Sequence, residues 1–156
     1  MISLLEHVPE QHIVTLPETK REDIIHRLIA SALPGESEVL HKQIFRDITS
    51  FSRKKEVPMG SGFILAHTRT DKITDIAMSI GLLSDNIKYR RGEMAHTVIC
   101  IVVPDSMSRA YLSLMARLAR LLSQPDAQDV FRSQDPVAVR ELIRRFENPE
   151  EARYDQ

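Results

Sequence analysis

Thr97-Val98-Ile99-Cys100-Ile101-Val102-Val103 is the run that decides the fold class. It is almost entirely apolar and β-branched, with no polar residue at alternate positions. That pattern marks a strand covered on both faces rather than one with a wet side. Cys100, the single cysteine of the chain, lies inside it. A lone cysteine there packs as a small hydrophobe and has no partner for an internal disulfide. A strand covered twice requires helices above and below it.

The flanking sequence supplies them. Upstream, Ile13-Val14-Thr15-Leu16 is a short β-type run closed by Pro17. Thr19-Lys20-Arg21-Glu22 has capping-box spacing and opens a helix whose apolar stripe is Ile24, Ile25, Leu28, Ile29, Ala32 and Leu33. Pro34-Gly35 stops it. A second helix starts near Ser37, carries Leu40, Ile44, Ile48 and Phe51, and runs out into Ser52-Arg53-Lys54-Lys55-Glu56, which reads as a solvated corner. Downstream, Pro104-Asp105-Ser106 leads into a long helix whose broad apolar face is expected from Tyr111, Leu114, Leu118 and Leu121 together with Leu112, Met115, Ala119 and Leu122. A short helix over Asp126 to Arg132 follows. Asp135-Pro136, an N-cap with proline at the first helical position, then opens a last helix striped by Val139, Leu142, Ile143 and Phe146.

Between the two sets of helices lie further strands. Phe63 to Ala66 is apolar, and Ile76, Met78 and Ile80 alternate with small residues. Ser84-Asp85-Asn86 reads as a turn before a short strand around Ile87-Lys88-Tyr89, and Arg91-Gly92-Glu93 as another turn. Val57 to Gly62 reads as turn or loop. The expectation is an α/β fold: a mixed central sheet sandwiched by helices on both faces. It forms a single domain spanning residues 1–156.

Composition bounds the function. The chain is 42% hydrophobic and 28% charged with a formal net charge of -1, which suits a globular protein and supplies no field for nucleic acid or anionic membrane. Met1 to His7 lacks the features of a signal peptide, and no run is long enough to span a bilayer. The protein is therefore expected in the cytoplasm, at most peripheral to a membrane. The six histidines are dispersed with no cysteine cluster, so no metal is expected, and no cofactor motif is present. His26 and His41 read as helix-surface residues and His96 as a strand-edge residue. Gly60-x-Gly62 lacks the third glycine of a dinucleotide fingerprint.

The chemistry concentrates in Gly60-Ser61-Gly62-Phe63-Ile64-Leu65-Ala66-His67-Thr68-Arg69-Thr70-Asp71. This is a glycine-flanked approach, a short apolar strand and a histidine where the strand gives out. If the backbone stays extended, period-two alternation sets His67 and Arg69 on one side. An imidazole beside a guanidinium suits the handling of phosphate better than proton abstraction. The plain alternative is a surface histidine in a loop.

The same run, read with Asp71 to Gly81, resembles the active-site segment of IIA domains of the phosphoenolpyruvate-dependent phosphotransferase system. The likeness is to the fructose/mannitol/nitrogen-regulatory type. The paired helices before it, the strand Val98 to Pro104 and the leucine-rich helix Tyr111 to Leu122 extend the resemblance along most of the chain. The resemblance implies that His67 accepts a phosphoryl group from an HPr-type phosphocarrier and passes it to a IIB domain. It also implies clamps at Arg69 and Arg53, with hydroxyls from Ser61 and Thr68 as further donors.

The chain departs from the family pattern in three places. Ala66 replaces the proline that precedes the family's histidine, and Lys55-Glu56-Val57-Pro58 stands where the family has a Ser-Thr-Gly segment. Tyr111 replaces a second histidine, keeping a hydrogen-bond donor but no positive charge. These departures motivate a second reading, a regulatory docking module of IIA fold that acts on a transporter or kinase without efficient phosphotransfer.

Overall fold

The central run becomes β5 (Met94–Pro104) in a computed structural model that describes residues 3–50, 56–89 and 92–149. The other strands are β1 (Ile13–Leu16), β2 (Glu56–Pro58), β3 (Phe63–Thr70) and β4 (Ala77–Lys88). They form one five-stranded sheet in the order β1-β4-β5-β3-β2. β3 and β5 run parallel, as do β1 and β4, while β4–β5 and β2–β3 are antiparallel. The sheet is mixed, as expected.

Helices cover it on both sides. Val98, Cys100 and Val102 point into the core beneath α2 (Arg21–Ala32) and α3 (Glu38–Thr49), with Ile24, Leu28, Ile44 and Ile48. Ile99, Ile101 and Val103 point into the opposite core, beneath α4 (Ser108–Leu122), α5 (Ala127–Arg132) and α6 (Pro136–Glu147). Every residue of β5 from Ala95 to Pro104 is buried. That is why the run shows no polar alternation.

Several local expectations are corrected. Ser84, Asp85 and Asn86 do not turn the chain. They lie within β4, at an irregularity where the five residue steps from Leu82 to Ile87 face the two from Thr97 to Ala95 of β5. The surplus residues bulge outward and are exposed, so their polarity records a bulge rather than a reversal. Val57 to Gly62 is not all turn or loop: Val57 and Pro58 belong to β2, which forms the sheet edge against β3. Thr19 makes no cap: α2 starts from Lys20 without a side-chain cap. Ser37 and Asp135 do cap, accepting from the amides of Leu40 and Val137.

Glu56 is not a solvated corner. Its carboxylate is fully buried, receives Arg21 Nε at 2.6 Å and a second bond from Arg21 Nη2, and accepts from the Tyr89 hydroxyl. Such a charge persists in the interior because a fork of donors satisfies it. Sequence inspection also leaves unmarked a short N-terminal helix, α1 (Leu4–His7). The Glu147 carboxylate at the end of α6 accepts from Ser3 Oγ and from the amides of Leu4 and Leu5, and pairs with Arg117 of α4 at 3.0 Å. Phe51, Arg53 and the polar tail beyond Pro149 lie outside the described residues.

Candidate functional site

β3 extends past the point where the apolar run ends, so His67 lies within a strand and not at its exit. His67 pairs with Ile101 and Arg69 with Val103 of β5. A buried parallel neighbour holds this backbone by its hydrogen bonds. Burial alternates along β3: Thr68 and Thr70 are buried, His67 is half-buried and Arg69 exposed. His67 and Arg69 therefore share the face of Phe63 and Leu65, beneath α4.

Pro104 closes β5, and a single 3-10 turn over Asp105–Met107 delivers the chain into α4 across that face. The first turns of α4 then reach over β3. The Tyr111 ring stacks near His67, with centroids 5.8 Å apart and planes 24° from parallel. Burial pushes the Tyr111 phenol above its usual pKa, with the Arg69 charge pulling the other way, so the hydroxyl keeps its proton at neutral pH. Arg69 Nη1 donates to Ser108 Oγ at 3.1 Å, and that hydroxyl donates to the Asp105 carbonyl. Nδ1 of His67 is buried, turned away from solvent.

The structure thus brings His67, Arg69 and Tyr111 together. It does not bring in the other two described candidates. Thr68 follows the strand alternation onto the opposite face, and its side chain is buried. Ser61 sits in the turn before β3, six residues from His67, which along an extended strand is roughly 20 Å. Its carbonyl accepts from His96 Nε2 at 2.8 Å. Arg53 lies outside the described residues.

His96 is an internal residue rather than an edge one. It is 6% exposed, packs edge-on against Phe63, and sits so close to Gly62 that a Cβ there would come within 2.3 Å of its ring. Burial, with a smaller contribution from Arg132, holds its pKa below the usual value against the Ser61 carbonyl. Ser108 is the contact that sequence inspection does not single out. A serine entering a helix is common, and its link to Arg69 depends on where the turn after β5 delivers α4.

Among the described residues no group of three or more His, Cys, Asp or Glu is placed to hold a metal ion. No helix among them is long and apolar enough to cross a membrane.

Solved structures share this architecture. The nitrogen regulatory protein IIA-Ntr from Neisseria meningitidis superposes with a TM-score of 0.77 at 18% identity, covering 90% of this chain and 98% of its own. A putative IIA protein, PtxA, from Streptococcus mutans gives 0.73 at 13% identity, covering 94% and 96%. The mannitol-specific cryptic phosphotransferase enzyme IIA CmtB from Escherichia coli gives 0.66 at 15%, covering 92% and 99%. No curated protein sequence matches this chain closely. The fold is therefore that of the IIA domains. The family model for the phosphoenolpyruvate-dependent sugar phosphotransferase system, EIIA 2, matches residues 6–146, and the chain belongs to that family. Its role is that of a IIA-like phosphocarrier or regulatory protein of the phosphotransferase system.

Proposed function

We propose that the protein is a phosphoryl carrier that takes its phosphoryl group on His67 from an HPr-type phosphocarrier. It then passes the group to a IIB domain or signals by its phosphorylation state. The observation that carries this reading is the half-buried His67 on β3, with Arg69 on the same face and the Tyr111 ring beside it.

In the forward step a neutral imidazole nitrogen of His67 forms a bond to phosphorus as the donor's P–N bond breaks, and the electron pair returns to the donor imidazole. The burial of Nδ1 favours Nε2 as the attacking atom. The protein's work is to position the ring and to neutralise three equatorial oxygens. Arg69 supplies charge and two-pronged donation, and its bond to Ser108 limits how far the guanidinium swings. The Tyr111 phenol, kept protonated, offers a donor without charge. Arg53 enters as a second clamp through the family resemblance alone.

Incubation with phosphoenolpyruvate and the general phosphotransferase enzymes should give an acid-labile adduct of one phosphoryl mass, absent from His67→Ala. Persistence of the adduct in that variant would defeat the assignment.

Tyr111 and Ala66 favour one other reading, the regulatory docking module. Tyr111 beside His67 brings no positive charge at that position, so a phosphorylated His67 is less well stabilised there than beside a second histidine. A transporter or kinase partner that binds wild type and His67→Ala alike, in a protein that takes up no phosphate, would favour that reading.

A further inference from the structure

The outward face of α4 is unlike the rest of the surface. The chain as a whole is nearly balanced, with 21 basic and 22 acidic residues. α4 carries three arginines and no Asp or Glu. Arg117 is neutralised by the buried Glu147. Arg109 and Arg120 are exposed and make no ion pair among the described residues. Exposed Arg69 is tied to the start of α4 through Ser108, so Arg69, Arg109 and Arg120 set positive charge along this helix from its His67 end to its last turn. Of the nearby acids in sequence, Asp105 lies in the 3-10 turn before α4 and Asp71 follows β3, both exposed.

Between Arg109 and Arg120 the outward face of the helix is uncharged, Arg117 being turned to Glu147. Leu112 and Ala119, expected on the buried face, are exposed instead, because the core side of α4 is narrowed to Leu114, Leu118 and Leu121; Leu112 is 68% exposed, and Ala116 and Ala119 continue its helical face. A large apolar side chain left in water beside small residues, with an exposed arginine toward each end of the helix, has the composition of a protein interface core with a charged rim. The face continues past Ala119 into a groove of about 550 Å³ between the end of α4 and the β2–β3 turn, lined in part by Leu122 and Met59.

We propose that this face of α4 is where the phosphoryl-exchange partner docks, and that the partner is acidic around its own phosphorylated histidine. The proposal rests on the phosphoacceptor reading of His67. The occupant follows from charge: a basic carrier surface would meet Arg69, Arg109 and Arg120 with like charge, at a cost in both rate and affinity. Leu112 is the apolar anchor, and Ala116 and Ala119 let a partner backbone approach closely.

The test uses two phosphorylated HPr-type carriers, one acidic and one basic around its histidine, with phosphoramidate as a small donor that needs no docking. From phosphoramidate the P–N bond breaks, ammonia leaves and His67 takes the phosphoryl group. The acidic carrier should transfer with kcat/KM about tenfold or more above the basic one at low salt. That preference should shrink as the salt rises and invert in the double variant Arg109→Glu, Arg120→Glu. Leu112→Ala should slow transfer from the acidic carrier, while all variants keep wild-type reactivity with phosphoramidate and wild-type Tm. Equal or better transfer from the basic carrier, or an unchanged preference after charge reversal, would overturn the proposal. Failure of phosphoramidate to modify His67 in the wild type would instead defeat the phosphoacceptor reading beneath it.

Discussion

Replacing Glu147 with glutamine tests the packing that holds α4 in place over the site. The Glu147 side chain is 5% exposed and accepts from Ser3 Oγ at 2.9 Å, from the Leu4 and Leu5 amides at 2.8 Å each, and from Arg117 Nη2 at 3.0 Å. Glutamine keeps the shape but turns one acceptor oxygen into an NH2 that faces donors. It also leaves the Arg117 guanidinium facing an uncharged group. Disrupting a buried pair from one side costs about 3–5 kcal/mol, and glutamine retains one acceptor, so a loss of about 3 kcal/mol is expected. In a chain of this size that lowers Tm by roughly 6–12 °C.

The pH dependence has a definite sign. Burial alone would raise the Glu147 pKa, but the bonds from Leu5, Leu4, Ser3 and Arg117 outweigh it and hold the carboxyl below its usual value. A folded pKa below the unfolded one gives stability that is fully present above the unfolded value and lost as pH falls through the folded one. Urea unfolding at neutral pH and through the acid range reads both effects. Wild type should lose more stability on acidification than Glu147→Gln, so the two curves converge. A loss below 1 kcal/mol at neutral pH, or parallel acid limbs, would refute this account of Glu147.

Other expectations bear on different parts of the molecule. Gly62→Ala must adopt φ near +87° with its Cβ against the His96 ring, whereas Gly60→Ala has φ near +85° but open space. Urea titration should show Gly60→Ala costing about 1 kcal/mol and Gly62→Ala roughly 2 kcal/mol or more. Arg21→Ala removes the guanidinium that donates two bonds to the buried Glu56 carboxylate and should cost about 3 kcal/mol, against about 1 kcal/mol for Tyr89→Phe, both read by thermal and urea unfolding. At the site, Arg69→Ala should slow phosphorylation of His67 at least tenfold in a stopped-time assay, with Arg69→Lys recovering only part of the loss. Tyr111→Phe should keep the stacking and fall less than Tyr111→Ala.

The fold was readable because its strongest signals are one-dimensional. An apolar run without alternation, such as Thr97 to Val103, needs cover on two sides wherever it occurs. The stripes Ile24 to Ala32 and Val139 to Ile143 tell which helix faces are buried. What escaped depends on tertiary contact. Ser84-Asp85-Asn86 has turn chemistry, and nothing local tells a bulge from a reversal. Glu56 looks like the end of a charged run until Arg21 and Tyr89 close around it. α1 is held by a carboxylate more than 140 residues away in sequence. At the site, the pairing of His67 with Arg69 follows from strand alternation alone. That same alternation sends Thr68 to the far face, so Thr68 was separable from sequence once β3 was extended through Thr70. The nearness of Tyr111 was available only through the family resemblance. The Arg69–Ser108 bond has no signal in the sequence.

The central claim is that His67 carries the phosphoryl group. Its most direct test is phosphorus and nitrogen NMR of the protein labelled with 15N-histidine and phosphorylated through phosphoenolpyruvate and the general enzymes. The account predicts one phosphoramidate resonance, coupled to Nε2 of His67 and lost in His67→Ala. A resonance coupled to another histidine, or none under conditions that phosphorylate the carrier itself, would contradict it.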